Sequence, residues 1–190
     1  MPGTTALKEW SVICSALATG RQSILLRKGG IREKRGEFVV EHPHFFLYPT
    51  AFHQDPEQLI PEARTGLETL EGAPNGQISI GLYAEVVALW RVENLEQLKA
   101  LSPLHILAWK TIESRFHYKN NPWLEVLLVR VFHLPSPMMI SELPQYAGCR
   151  SWVALHEEIS REGTTPVIED TAFQQLHQQL ETRLGRSGNE

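Results

Sequence analysis

The chain has 190 residues, 42% of them hydrophobic and 21% charged, with a formal net charge of -4. These values are ordinary for a soluble globular protein with a real core. Two cysteines, Cys14 and Cys149, and no C-x-x-C pair exclude a disulfide framework, a zinc ribbon and a thioredoxin motif. The opening residues carry no charged segment followed by an apolar one, and no apolar run is long enough to span a bilayer, so a cytoplasmic, non-membrane protein is expected.

The apolar spacing at Leu7, Trp10, Val12, Ile13, Ala16 and Leu17 predicts an amphipathic helix over Leu7–Thr19, ended by Gly20. Ser23–Arg27 is a short apolar strand, and Lys28-Gly29-Gly30 is a turn. Phe38–Val40 begins a strand, and Phe45–Tyr48 is another, bounded by Pro43 and Pro49. Pro56–Leu70 reads as a helix broken near Pro61, followed by a turn over Glu71–Gly76. Ile78–Val92 is the longest β-like run, with Gly81 marking a bulge. Helices are expected over Glu93–Leu101 and Leu104–Phe116, then a turn at Asn120-Asn121-Pro122. Trp123–Leu134 reads as a buried strand and Pro135–Pro144 as a proline-rich connector. Ser151–Leu155 is a last strand or a first helical turn, and Thr171–Leu184 is a Gln-rich helix.

The strands do not alternate strictly with helices, so the fold class is α+β. A mainly antiparallel, strongly bent sheet or pseudobarrel with flanking helices is expected. One domain over 1–185 and a frayed tail over 186–190 complete the organisation.

Charge is uneven along this chain. Gly20–Gly36 holds six of the 18 Lys and Arg, and Asp55–Glu71 sets five carboxylates against Arg64. The glycines let backbone N–H groups of the basic hook approach an anion, with Arg27, Lys28 and Arg32 supplying charge-assisted hydrogen bonds around Gly29 and Gly30. The alternative is a hairpin turn with solvated cations. His42 and His44, two apart on a strand, point to one face, and His53 follows. Without a nearby set of further ligands no tightly bound metal is expected there, and no cofactor is implied. Tyr146, Cys149, Arg150 and Trp152 form a late cluster in which Trp and Arg suit a flat, anionic ligand. Arg115, His117, Tyr118 and Lys119 make a basic-aromatic patch explained by the helix dipole alone.

The runs LLRKGGI (Leu25–Ile31), HPHFFLYPT (His42–Thr50), His53-Gln54, LSPLHI with its following helix (Leu101–Phe116) and YAGCRSWVAL (Tyr146–Leu155) resemble the bacterial family called domain of unknown function 1802. That resemblance covers nearly all of Leu7–Leu155 and implies no activity. A second resemblance, resting on pattern, is to the ASCH branch of PUA-like domains. It lies in Gly20–Arg27, in the Ala84–Val86 step, and in the Leu134–Pro137 ending. It implies RNA or modified nucleotides bound in a cleft at a barrel mouth.

Several chemistries lack their residues. There is no P-loop, no Gly-x-Ser-x-Gly and no Gly-x-Gly-x-x-Gly. The only aspartates are Asp55 and Asp170, and no Glu-x-Lys strand of the restriction type exists. The expectation is a binding module for nucleic acid or a nucleotide-like anion. Arg27, Lys28, Gly29, Gly30 and Arg32 hold phosphate, while His44, His53, Gln54, Arg150 and Trp152 line one shared pocket. A nuclease or phosphodiesterase using His chemistry and a protein-interaction domain docking through Asp55–Glu71 remain as alternatives.

Overall fold

The computed structural model describes residues 4–29, 40–51, 54–64, 76–148 and 150–187, and the backbone of 33–34 and 37–38. Its elements are β1 (Thr4–Trp10), α1 (Ser11–Ala18), β2 (Ile24–Arg27), β3 (Glu33–Lys34), β4 (Glu37–Phe38), β5 (His44–Thr50) and β6 (Gln77–Val92). There follow α2 (Leu95–Ala100), α3 (Trp109–Phe116), β7 (Leu124–Ser141), β8 (Trp152–Leu155), β9 (Thr165–Pro166) and α4 (Asp170–Leu184). The main sheet runs β2-β7-β6-β5-β1-β8, with β9 on β7, and β3 pairs β4 separately. This is the mainly antiparallel α+β architecture expected. The parallel exception is β1 on β5, and the sheet stays open rather than closing as a barrel.

The first element departs from expectation. Thr4–Trp10 is a strand between β5 and β8, with Leu7 opposite both Leu47 and Trp152. Ala6 and Leu7 are both buried, one in each of two apolar clusters on opposite faces of the sheet. A strand buried on both faces shows no alternation, and its apolar residues merged with those of α1 into a false helical period. Gly20 does end that helix. Its φ is +70°, and a Cβ there would lie 2.6 Å from Ile168 Cγ2. Gly20→Ala is therefore expected to cost about 2 kcal/mol, from the left-handed conformation plus the overlap. Gly29→Ala has φ +77° but open space around it, so urea denaturation should show it to be about 1 kcal/mol milder. Equal costs would mean that Ile168 moves aside freely.

Strands β6 and β7 form the long central hairpin, pairing from Gln77↔Ser141 to Val92↔Leu124. The ladder skips at Gly81, where a bulge was expected, and again at Val87. The expected Pro135–Pro144 connector is instead largely the second half of β7. Opposite Gly81 the register jumps from His133 to Met138, so Pro135 and Pro137 occupy the irregularity, where no ladder N–H is required of them.

Two further expected helices are not continuous α-helices over their described residues. Pro56–Gln58 and Pro61–Ala63 are separate 3-10 turns, and 65–75 lie outside the described residues. Ser102–Leu104 is a 3-10 turn, His105 is extended with φ -148°, and α3 starts only at Trp109. The extended piece makes a bridge from Leu107 to Leu59. The helices cover one sheet face with a core that includes Leu17, Leu47, Leu98, Ile112, Leu127 and Leu180. Each fully buried aliphatic side chain stabilises by about 1.5–3 kcal/mol. The opposite face holds a smaller cluster around Tyr48, Ile80, Tyr83 and Tyr146.

At the free edge of the sheet, β2 turns the carbonyls of Ile24 and Leu26 away from β7. Gln22 Nε2 donates to Ile24 O at 2.7 Å, and Arg115 Nη1 donates to Leu26 O at 3.3 Å. Gln22 is itself buried, and its Oε1 accepts from Ile106 N. No helix among the described residues is long and apolar enough to cross a membrane.

Candidate nucleic-acid interface

A cleft of about 450 Å³ opens where the ends of β1 and β2, the end of α3 and the loop before β8 meet. Its described lining holds five cationic side chains, Lys8, Arg27, Lys28, Arg115 and Arg150, against a single carboxylate, Glu9. Arg27, Lys28 and Gly29 of the basic hook thus meet Arg150 of the late cluster, more than 120 residues further on. Gly30 and Arg32 lie outside the described residues.

The five cations are not equivalent. Arg27 lies at the end of β2 and is largely buried. Its Nη1 donates to Glu9 Oε2 at 3.0 Å and its Nη2 to Ser151 Oγ at 2.8 Å. Glu9 also accepts from Trp10 N at 2.9 Å. This chain of bonds forms the floor and ties β2 to the far side of the sheet. Arg115 stacks over the Trp10 ring at 5.3 Å while its Nη1 holds Leu26 O. Burial pushes its guanidinium below the usual arginine range; Glu9 opposes that and Arg27 adds to it.

The two lysines tether loops. Lys8 Nζ donates to Tyr146 O at 2.6 Å and Gly148 O at 3.1 Å, holding the segment that carries Arg150. Lys28 Nζ donates to Phe116 O at 3.1 Å, Trp123 O at 2.8 Å and Asn121 O, and sits 4.2 Å over the Trp123 ring. Desolvation lowers its pKa, with Arg91 adding to the effect and Glu125 opposing it. Arg150 alone of the five is exposed, and among the described residues its side chain has no partner.

The remaining expected site residues fall elsewhere. Trp152 is half-buried in β8, with its ring 5.2 Å from Phe45 and 4.9 Å from His42 in edge contacts. It closes the sheet against β5. Gln54 Oε1 accepts from Val12 N at 3.2 Å and so caps the first turn of α1. His44 lies on the other face. Its Nδ1 is 3.1 Å from Tyr83 Oη and 3.6 Å from Glu85 Oε1, and Arg161 Nη1 donates to the same Tyr83 hydroxyl. His42 and His44 therefore do not share a face. Pro43 interrupts the alternation, since β5 begins only at His44. His53 and Cys149 lie outside the described residues. Tyr146 is buried and accepts from His156 N through its hydroxyl.

Three lining residues were missed or undervalued in the sequence. Lys8 was hidden inside the expected helix. Arg115 and Tyr118 belong to a basic-aromatic patch attributed to the helix dipole. The dipole argument was sufficient for the charge but ignored the aromatic ring beside it.

A family model described as Domain of unknown function (DUF1802) matches residues 6–179. No curated protein matches the sequence. Among solved structures, the ASCH protein of Zymomonas mobilis is similar at 12% identity, covering 94% of this chain and 96% of that one, with a TM-score of 0.43. A serine-to-alanine mutant of it gives the same identity and coverage with a TM-score of 0.44. A tyrosine-to-phenylalanine mutant covers 93% of this chain and 97% of that one, also at 12% identity and a TM-score of 0.44.

Proposed function

This chain belongs to the DUF1802 family, domains of unknown function, and we propose that it binds nucleic acid or a nucleotide-like anion in the cleft between Arg27, Arg115 and Arg150. The observation that carries this reading is the convergence of five cations on one carboxylate in a chain of net charge -4. Like charges gathered from four separate segments repel one another, and a bound polyanion relieves that repulsion. The guanidinium groups also have the planar donor geometry that suits phosphate.

Two features weigh against the enzyme alternative in this cleft. No histidine is among its described lining residues. His44, one of the histidines expected to supply such chemistry, lies on the other face and is bonded to Tyr83 and Glu85. In the acidic segment of the protein-docking alternative, the charge of Glu57 is offset by Lys110.

Salt titration tests the reading. Binding of a short single-stranded oligonucleotide should fall steeply with salt, because each neutralised phosphate releases counterions. Arg150→Ala should reduce the magnitude of the logarithmic slope by about 0.7, the share of one phosphate on a single strand. Because Arg150 is exposed, its loss should leave thermal stability unchanged. An unaltered slope in the variant, or no binding at low salt, would refute the assignment.

A further inference from the structure

We infer that the cleft takes an unpaired nucleotide of a single strand, with its base laid on Tyr118. This rests on the anion-binding reading and names the ligand class of the same site.

Tyr118 is one of the few large apolar side chains left open among the described residues, 56% exposed. It stands on the cationic cleft rather than on a remote surface. An aromatic ring in water beside phosphate-binding cations has an obvious use, because every base has a π-face and stacking is tolerant of sequence. Lys119 lies 5.4 Å from the ring centroid and adds a cation at the same spot.

The ring is also held in place. Tyr118 opens a 3-10 turn in which Lys119 and Asn120 take left-handed conformations, φ 57° and 53°. Such a pair of non-glycine residues persists only where surrounding contacts hold it. Lys28 supplies them, since its ammonium grips Phe116 O, Asn121 O and Trp123 O on both sides of the turn. Lys28 thereby links the basic hook to the aromatic ring as a positioning residue.

The shape selects against a duplex. In a double helix the base faces are stacked on one another and turned away from the surface, so a ring on a cleft rim finds none to meet. Guanidinium groups recessed in a concavity likewise reach a single backbone more readily than a rod. A free phosphate chain would satisfy the cations but leave Tyr118 unused.

Fluorescence anisotropy with labelled single-stranded RNA, single-stranded DNA of the same sequence, a blunt duplex and inorganic polyphosphate separates these cases. Tyr118→Leu should weaken both single strands about tenfold, the scale of one base–aromatic stack, and leave polyphosphate unaffected. Tyr118→Phe should bind as the wild type does. Equal affinity for RNA and DNA, or a preference for either, supports the stacked base; a preference for RNA places the 2′-hydroxyl in the cleft. Lys28→Met should lose affinity for single strands, and by less in the Tyr118→Leu background, which a charge effect alone would not produce. Duplex bound as tightly as single strands, with Tyr118→Leu neutral, would overturn this inference and leave anion binding standing. Failure of all four probes at low salt would instead overturn the anion-binding reading itself.

Discussion

Arg27→Ala should cost about 3 kcal/mol of stability and remove oligonucleotide binding together. The side chains of Arg27 and Glu9 are only 16% and 13% exposed. Truncating the arginine leaves a largely buried carboxylate bonded to the Trp10 N–H, with the Arg115 charge still acting on it but the guanidinium bonded to it gone. It also frees Ser151, to which Arg27 Nη2 is bonded from across the opening of the sheet. Arg27→Lys should not rescue it, because one ammonium cannot span Glu9 and Ser151 as the guanidinium fork does. Glu9→Gln in the Arg27→Ala background should recover part of the stability without restoring binding. Urea denaturation of the wild type, Arg27→Ala, Glu9→Gln and their double variant gives the stability cycle, and anisotropy under folding conditions gives the affinity. A fully stable Arg27→Ala protein would show that the floor of the cleft is not built on this pair.

Acid should weaken the fold through His105. The ring is 1% exposed, and burial, with the Arg115 charge next and Arg21 a lesser contributor, lowers its pKa to about 4. Its Nδ1 accepts from Leu107 N at 3.2 Å, so the folded ring is the tautomer protonated on Nε2. Unfolded, the same ring titrates near 6.5. Between these values the unfolded chain binds a proton that the folded one refuses, so stability rises with pH across this window. The contribution is fully present above about pH 6.5 and amounts to about 3 kcal/mol lost by about pH 4. His105→Asn keeps an acceptor for Leu107 N and should flatten the dependence over that window relative to the wild type. Parallel melting-temperature curves for the two proteins would exclude His105 as the source.

The sequence carried the strands wherever turn residues bounded an apolar run, as at Ile24–Arg27, His44–Thr50 and Gln77–Val92. It failed where burial on two faces erased the period, as in β1, and where proline was taken as a break although a bulge accommodated it, as in β7. The site was legible in part for a related reason. Composition exposed the hook at Arg27 and Lys28 and the separate cation Arg150, and these do converge. Composition could not show that Gln54 is spent on a helix end, or that His44 faces away. Those outcomes follow from which side of a strand a residue falls on after pairing, and from which N–H happens to lack a partner. Lys8 and Arg115 were invisible for the converse reason. Each sits in a segment whose local pattern has a complete explanation without a ligand, and only the approach of distant carbonyls gives them a second role.

The occupied carbonyls of Ile24 and Leu26 bear on how these molecules behave in a crowd. An exposed sheet border is a template on which a neighbour's strand can grow, and proteins that leave one bare tend to assemble into fibres or swap segments. Here Gln22 and Arg115 block that growth with side chains instead of added backbone. Arg115 also lines the cleft, so on the proposed reading anion binding and protection from aggregation fall to the same guanidinium. A chain that lost it would leave the Leu26 carbonyl open to a neighbour's strand.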